Sequence, residues 1–128
     1  MVLGSGCFDG IHSGHARYIR ALKRLAHDGE PVCVAVAPDA YINGVKKRKP
    51  HWLQPDRWRA VLECGVTPIA QTQMDVSETI RTLRPRLFVK GVDWAGDIPA
   101  DVRAACAEVG AVLVYVDAPG TPTSEAIG

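Results

Sequence analysis

Five short apolar runs punctuate this chain, and stretches with helical spacing separate them. They are Met1-Val2-Leu3, Val32 to Ala37, the mixed stretch Val66 to Ala70, which reads as a short third strand, Leu87-Phe88-Val89 and Ala111 to Val116. A continuous apolar run bounded by turn residues is the mark of a strand covered on both faces. Strands that alternate with helices form a parallel sheet, because each parallel pairing needs a crossover, and the helices then cover both faces. The pattern predicts a three-layer α/β/α fold around a parallel five-stranded sheet.

In detail, the first strand is expected over Met1 to Phe8, followed by a helix from Ser13 to about His27. Ala16, Ile19, Leu22, Leu25 and Ala26 share one face of that helix, and Arg17, Arg20, Lys23 and Arg24 fall mostly on the other. Pro38 to Gln54 reads as a long polar loop, and a helix opens at Pro55 and stops at Gly65. Further helices are expected over Val76 to Leu83 and Ile98 to Val109, and the fourth strand is expected to break at Lys90-Gly91. Thr121 to Ser124 reads as the approach to a last helix cut short by Gly128.

A chain of 128 residues suits one domain, 1–128, with a core of its own. The net charge of +1 argues against a general binder of nucleic acid, so attraction for phosphate has to come from local clusters such as Lys46-Lys47-Arg48-Lys49. No apolar stretch is long enough for a membrane span, and no leader is apparent. The 4 cysteines are spread singly, which points to reduced thiols in a cytoplasmic protein and not to a zinc site.

In open α/β sheets ligands bind beyond the carboxyl ends of the strands. There the polar residues collect: His12 and His15 after the first strand, Lys46 after the second, Lys90 and Asp93 after the fourth, Thr123 and Ser124 after the fifth. The segment Gly6-Cys7-Phe8-Asp9-Gly10-Ile11-His12-Ser13-Gly14-His15 joins a strand to a helix start, whose free N–H groups and positive end favour an anion. Two imidazoles add donors for phosphate oxygens. Asp9 reads as a residue that fixes the loop, with water-mediated metal contact as the alternative. Lys46 reads as a basic side chain closing over the β- and γ-phosphates. Arg57 falls on the exposed first turns of a helix, directly after the basic loop. Trp52 and Trp58 read as packing residues, and Trp94 as a residue a substrate could touch. Thr123 and Ser124 read as N-cap candidates, and such a cap can also bind a phosphate oxygen.

These residues resemble the nucleotidyltransferase superfamily that includes glycerol-3-phosphate cytidylyltransferase and the heptose-phosphate adenylyltransferase domain. Gly6-Cys7-Phe8-Asp9…His12-Ser13-Gly14-His15 is similar to its Gly-x-Phe-Asp…His-x-Gly-His signature. Arg57 is similar to its helix arginine, Lys90-Gly91-Val92-Asp93-Trp94 to its Lys-Gly-x-Asp-aromatic element, and Pro122-Thr123-Ser124 to a variant of its terminal Ser-Thr-Thr element. The resemblance implies a small Rossmann-like domain, frequently dimeric. The reaction it implies is transfer of a nucleoside monophosphate from ATP or CTP to a phosphorylated sugar or polyol, with magnesium. His12, His15, Lys46 and Arg57 would act on the phosphates. Cys7, Phe8, Asp9, Gly14, Lys90, Gly91, Asp93, Trp94, Thr123 and Ser124 would line the nucleotide and substrate. Asp117 stands where many cytidylyltransferases carry arginine, which favours the heptose-type adenylyl branch. The competing readings are a cytidylyltransferase, a nucleotide-sensing module without turnover, and a nucleic-acid binder.

Overall fold

The computed structural model describes residues 1–10 and 13–117. Its strands are β1 (Val2–Gly6), β2 (Val32–Val36), β3 (Thr67–Ala70), β4 (Leu87–Gly91) and β5 (Val112–Val116), all parallel, in the order β3-β2-β1-β4-β5. Its helices are α1 (Ser13–Leu25), α2 (Asp39–Gly44), α3 (Gln54–Glu63), α4 (Ser77–Leu83) and α5 (Ala100–Val109). The expected three-layer α/β/α arrangement is what the chain adopts.

Two apolar layers flank the sheet. On one face Tyr18, Ile19 and Leu22 of α1 and Val61 of α3 pack on Val2, Val34, Val36 and Val89. On the other, Ile80 of α4 and Val102, Ala105 and Cys106 of α5 pack on Leu3, Cys33, Ala35 and Phe88. The central strand carries Gly4 because α1 lies almost on the backbone: a Cβ there would stand 2.6 Å from the Tyr18 hydroxyl and 2.7 Å from Leu22 Cδ1. Burying these apolar side chains is the main force holding the layers together.

Several element ends move by one or two residues, and four departures from expectation matter more. β1 ends at Gly6, two residues early, because Phe8 takes a left-handed conformation with φ of 54°. The segment Pro38 to Gln54 is not all loop. It contains α2, whose Ile42 is fully buried and packs with Cys7 and Ala37. One apolar anchor is enough to hold a helix that its polar neighbours disguise. β4 continues through Lys90 and Gly91, which pair with Tyr115 and Val116. β5 was expected to be covered on both faces, but it is an edge strand, paired on one side only and half-exposed along most of its length.

The split between β1 and β4 positions everything that follows. Their register runs from Val2↔Leu87 to Gly4↔Val89 and then stops. Beyond that point side chains take over from the ladder. The Tyr18 hydroxyl accepts from the Ser5 N–H at 3.0 Å and donates to the Val89 carbonyl. The Lys90 ammonium donates to the Ser5 carbonyl at 3.2 Å and to its hydroxyl at 3.3 Å. The central strands therefore part at the topological switch point, where open α/β sheets take their ligands.

Candidate functional site

The turn after β1 is tight and strained. Phe8 holds its left-handed backbone because its ring is locked in the core, 1% exposed. A non-glycine residue in that region costs about 1–2 kcal/mol, and persists only where packing over-determines it. The same ring lies 5.0 Å from the His15 imidazole, tilted by 49°. His15 sits in the first turn of α1 and is 3% exposed. Gly10 follows with φ of 96°, a conformation that suits glycine, and its N–H reaches the Phe8 carbonyl at 3.0 Å. Gly14 lies in the same first turn of α1. His12, Thr123 and Ser124 lie outside the described residues.

Asp9 fixes a distant loop. Its carboxylate accepts from Arg48 Nη1 at 2.6 Å and from the backbone N–H groups of His51 and Trp52 at 2.8 and 2.7 Å. Burial works to raise its pKa, but the Arg48 hydrogen bond and the two backbone donors outweigh it and hold the carboxyl below its ordinary value. The structural role expected for Asp9 is therefore the one it has here. The basic run is also sorted: Arg48 is committed to Asp9, Lys47 and Lys49 are exposed, and Lys46 is half-buried, close enough to act electrostatically on Cys7 and Lys90.

Arg57 departs from expectation in its setting. It was expected on exposed helical turns, but it is completely buried. Its Nε donates to the Trp52 carbonyl at 3.0 Å, Nη1 to the Cys7 carbonyl at 2.7 Å and Nη2 to Asp39 Oδ1 at 2.7 Å. The planar fork thus ties the β1 turn, α2 and the start of α3 together, a task suited to a guanidinium and not to an ammonium.

Lys90 is the second buried cation, 7% exposed at the end of β4. Its hydrogen bonds are the two long ones to Ser5, and its Nζ stands 4.6 Å from the centre of the Trp94 ring. Burial pushes its pKa down to about 8, against the opposing pull of Cys7 and Asp93. Burial also raises the Cys7 thiol, which Lys46, Arg57 and Lys90 pull the other way. Gly91 ends β4, and the following 3₁₀ turn, Val92–Trp94, carries Asp93 exposed. The Trp94 indole N–H is buried and has no hydrogen-bond partner among the described residues. Leaving such a donor unmet costs about 1–3 kcal/mol. Lys90 and Trp94 border a cleft on the α4–α5 side of the sheet, and Cys7, Gln71, Asp75 and Phe88 also line it.

Three residues of this site had been passed over in the sequence. Ser5 and Tyr18 bridge the split, and the signal for Tyr18 was a polar tip on an apolar helix face opposite a glycine. Gln71 directly follows β3, so the strand-end rule would have found it. Its Nε2 donates to the Gln73 carbonyl at 2.8 Å. The magnesium that the resemblance implies finds no protein cage: the described residues contain no group of three His, Cys, Asp or Glu side chains able to hold a metal ion. Among the described residues no helix is long and apolar enough to cross a membrane.

Comparison with known proteins gives this geometry its context. The cytidylyltransferase-like family matches residues 3–126. The bifunctional protein HldE of Photobacterium profundum is 31% identical over 131 residues, covering 99% of this chain and 27% of that protein. The HldE of Azorhizobium caulinodans is 33% identical over 124 residues, with 91% and 24% covered. The chain thus spans about a quarter of the length of these relatives. A lipopolysaccharide core biosynthesis protein from Thermoplasma volcanium shares the fold, with a TM-score of 0.73 at 23% identity over 91% of this chain and 94% of that one. With nearly the whole chain inside the family's bounds, it belongs to the cytidylyltransferase-like family of nucleotidyltransferases.

Proposed function

We propose that the chain transfers adenylate from ATP to a phosphorylated sugar, as a heptose-phosphate adenylyltransferase does, and releases pyrophosphate. The HldE relatives support the adenylyl branch. The observation that carries the reading is the corner where the strained Phe8 turn, the His15 imidazole and the parted strands β1 and β4 meet. A helix N-terminus and nearby cations suit a polyphosphate.

A phosphate oxygen of the acceptor attacks the α-phosphorus in line. The bond from that phosphorus to the bridging oxygen breaks, and pyrophosphate leaves with the electron pair. The acceptor's phosphate is already largely dianionic at pH 7, so no strong base is needed. Catalysis then rests on position and on stabilising charge. His12 and His15 donate to the α-phosphate oxygens, and the backbone N–H groups of Cys7 and Phe8 and the hydroxyls of Thr123 or Ser124 steady them. Lys46 takes the leaving pyrophosphate. Arg57 acts on the phosphates through the turn it braces, by holding the Cys7 carbonyl. Magnesium, when bound, would screen the phosphate charges. The active species is expected to be a homodimer.

The test is a pyrophosphate-release screen of four nucleoside triphosphates against a panel of sugar and polyol phosphates, with magnesium. Release with ATP that depends on a sugar phosphate is expected. Release with CTP alone would move the assignment to the cytidylyl branch. Triphosphate binding without release from any pair would overturn the enzymatic reading in favour of a sensing module.

A further inference from the structure

The ladder between β1 and β4 is ended by side chains, not by the ends of the strands. Both strands run on past their last paired residues, Gly4 and Val89. β1 stays paired with β2 to Gly6↔Val36, and β4 with β5 to Gly91↔Val116. Only the pairing between the two central strands is lost. In a parallel ladder the backbone groups of alternate residues face the same neighbour, so the next rung would join the Gly91 N–H to the Ser5 carbonyl. That carbonyl instead accepts from the Lys90 ammonium at 3.2 Å, and the Ser5 hydroxyl accepts from it at 3.3 Å.

The Tyr18 hydroxyl stands at the fork. It accepts from the Ser5 N–H on one strand and donates to the Val89 carbonyl on the other. An oxygen placed there holds the two strands farther apart than a direct bond of about 2.9 Å would. Gly4 makes the room for it, since a Cβ at that position would lie 2.6 Å from the hydroxyl oxygen. Tyr18 is buried, and burial raises the pKa of its phenol, so it keeps the proton that the Val89 bond requires. The same side chain also meets the other half of the site. Tyr18 lies three residues after His15 on α1, and the Phe8 ring stands 6.3 Å from the Tyr18 ring and 5.0 Å from the His15 imidazole.

We propose that Tyr18 is a positioning residue for the transfer reaction: its hydroxyl wedges β1 from β4 and so fixes the place of the Lys90 ammonium relative to the phosphate turn and His15. The inference rests on the nucleotidyl-transfer reading above, and adds a residue that touches neither nucleotide nor acceptor. Without the hydroxyl the strands close, the Ser5 carbonyl takes the Gly91 N–H, and the ammonium loses an acceptor.

The test is Tyr18→Phe, which deletes the hydroxyl and keeps the ring. Ile19→Val is the control. It trims a buried side chain of the same helix and the same apolar layer and leaves the hydroxyl in place. Amide hydrogen exchange at Gly91 is expected to slow about tenfold in Tyr18→Phe, as the missing rung forms, and not to slow in Ile19→Val. The Lys90 ammonium, followed by NMR, should titrate at lower pH in Tyr18→Phe than in the parent, because it has lost an acceptor, and as in the parent in Ile19→Val. The other groups that act on that ammonium, Cys7, Asp93 and Lys46, are the same in all three proteins. Pyrophosphate release from ATP is measured with the sugar phosphate that supports it in the screen above. In Tyr18→Phe kcat should fall roughly 10- to 100-fold, the scale of a group misplaced by about 1 Å, with KM for ATP within twofold of the parent. Ile19→Val should keep kcat within twofold.

Destabilisation alone would speed Gly91 exchange and leave the Lys90 titration in place. Gly91 exchange that does not slow in Tyr18→Phe, or a Lys90 midpoint that does not fall, overturns the proposal, as does a kcat within twofold of the parent. A parent that releases no pyrophosphate from any pair breaks the transfer reading instead, and the exchange and the titration then decide the wedge by the same criteria.

Discussion

Two buried cations lie on the carboxyl edge of one sheet, and their surroundings differ. Arg57 is tied down on all sides: each of its three nitrogens donates at 2.7–3.0 Å, and the three bonds go to three separate segments. Lys90 is under-supplied, with two long bonds to one residue and a ring beside it. A buried charge held by short bonds to several segments is framework, and a buried charge held loosely is a place where something else belongs. The contrast separates the part of the site that braces the phosphate turn from the part left for substrate.

Removing each cation should therefore have opposite consequences for stability. Arg57→Met strands the Cys7 and Trp52 carbonyls and the Asp39 carboxylate, and is expected to destabilise by about 3–5 kcal/mol in urea unfolding. A loss below about 1 kcal/mol would place Arg57 with Lys90 and erase the distinction.

Lys90→Met takes away a charge that folding disfavours. It is expected to raise stability at pH 7 by on the order of 3 kcal/mol, the scale of a pKa lowered from 10.5 to about 8. Acceptor-dependent turnover should fall about 100-fold, the scale of a lost donor to phosphate. The same shift sets the sign of the pH dependence. Between pH 8 and 10.5 the unfolded chain holds the Lys90 proton and the folded chain has lost it, so stability gains from this group as pH rises through that window. The variant should lack that gain. A lysine substitution that destabilises, with no change in the pH slope, would contradict the assignment.

Smaller effects sharpen the boundary between the two regions. Tyr18→Phe leaves the Ser5 N–H and the Val89 carbonyl without the hydroxyl that bridges them, and should cost about 1–3 kcal/mol with the sheet order intact. Asp9→Asn keeps the shape of the carboxylate but loses its charge toward Arg48 and should cost about 1 kcal/mol. Its clearest readout is faster amide hydrogen exchange at His51 and Trp52, whose N–H groups Asp9 now holds. Unchanged exchange there would show that the loop does not depend on Asp9.

The layers were legible in the sequence because they rest on periodicity. The runs at 32–37 and 87–89 announce buried strands, and the stripe Ala16, Ile19, Leu22 announces the helix that covers them. The phosphate turn was legible because glycine, histidine and a helix start lie next to one another along the chain. What was not legible depends on distant segments meeting. α2 hides in a polar stretch whose single anchor, Ile42, finds its socket only once Cys7 and Ala37 are in place. Arg57 looks like a surface residue until carbonyls 5 and 50 positions away turn toward it. The cleft draws its lining from β1, β4, α5 and the segments after β2 and β3, so no local motif reports it.

The contrast between the two cations is tested most directly by following the Lys90 side-chain ammonium by NMR through a pH titration, with and without mannose 1-phosphate. The free protein should titrate Lys90 near pH 8, and saturation with the ester should move the midpoint upward toward 10.5 as the phosphate supplies the missing partner. A midpoint near 10.5 in the free protein, or one that the ester does not move, would contradict the account.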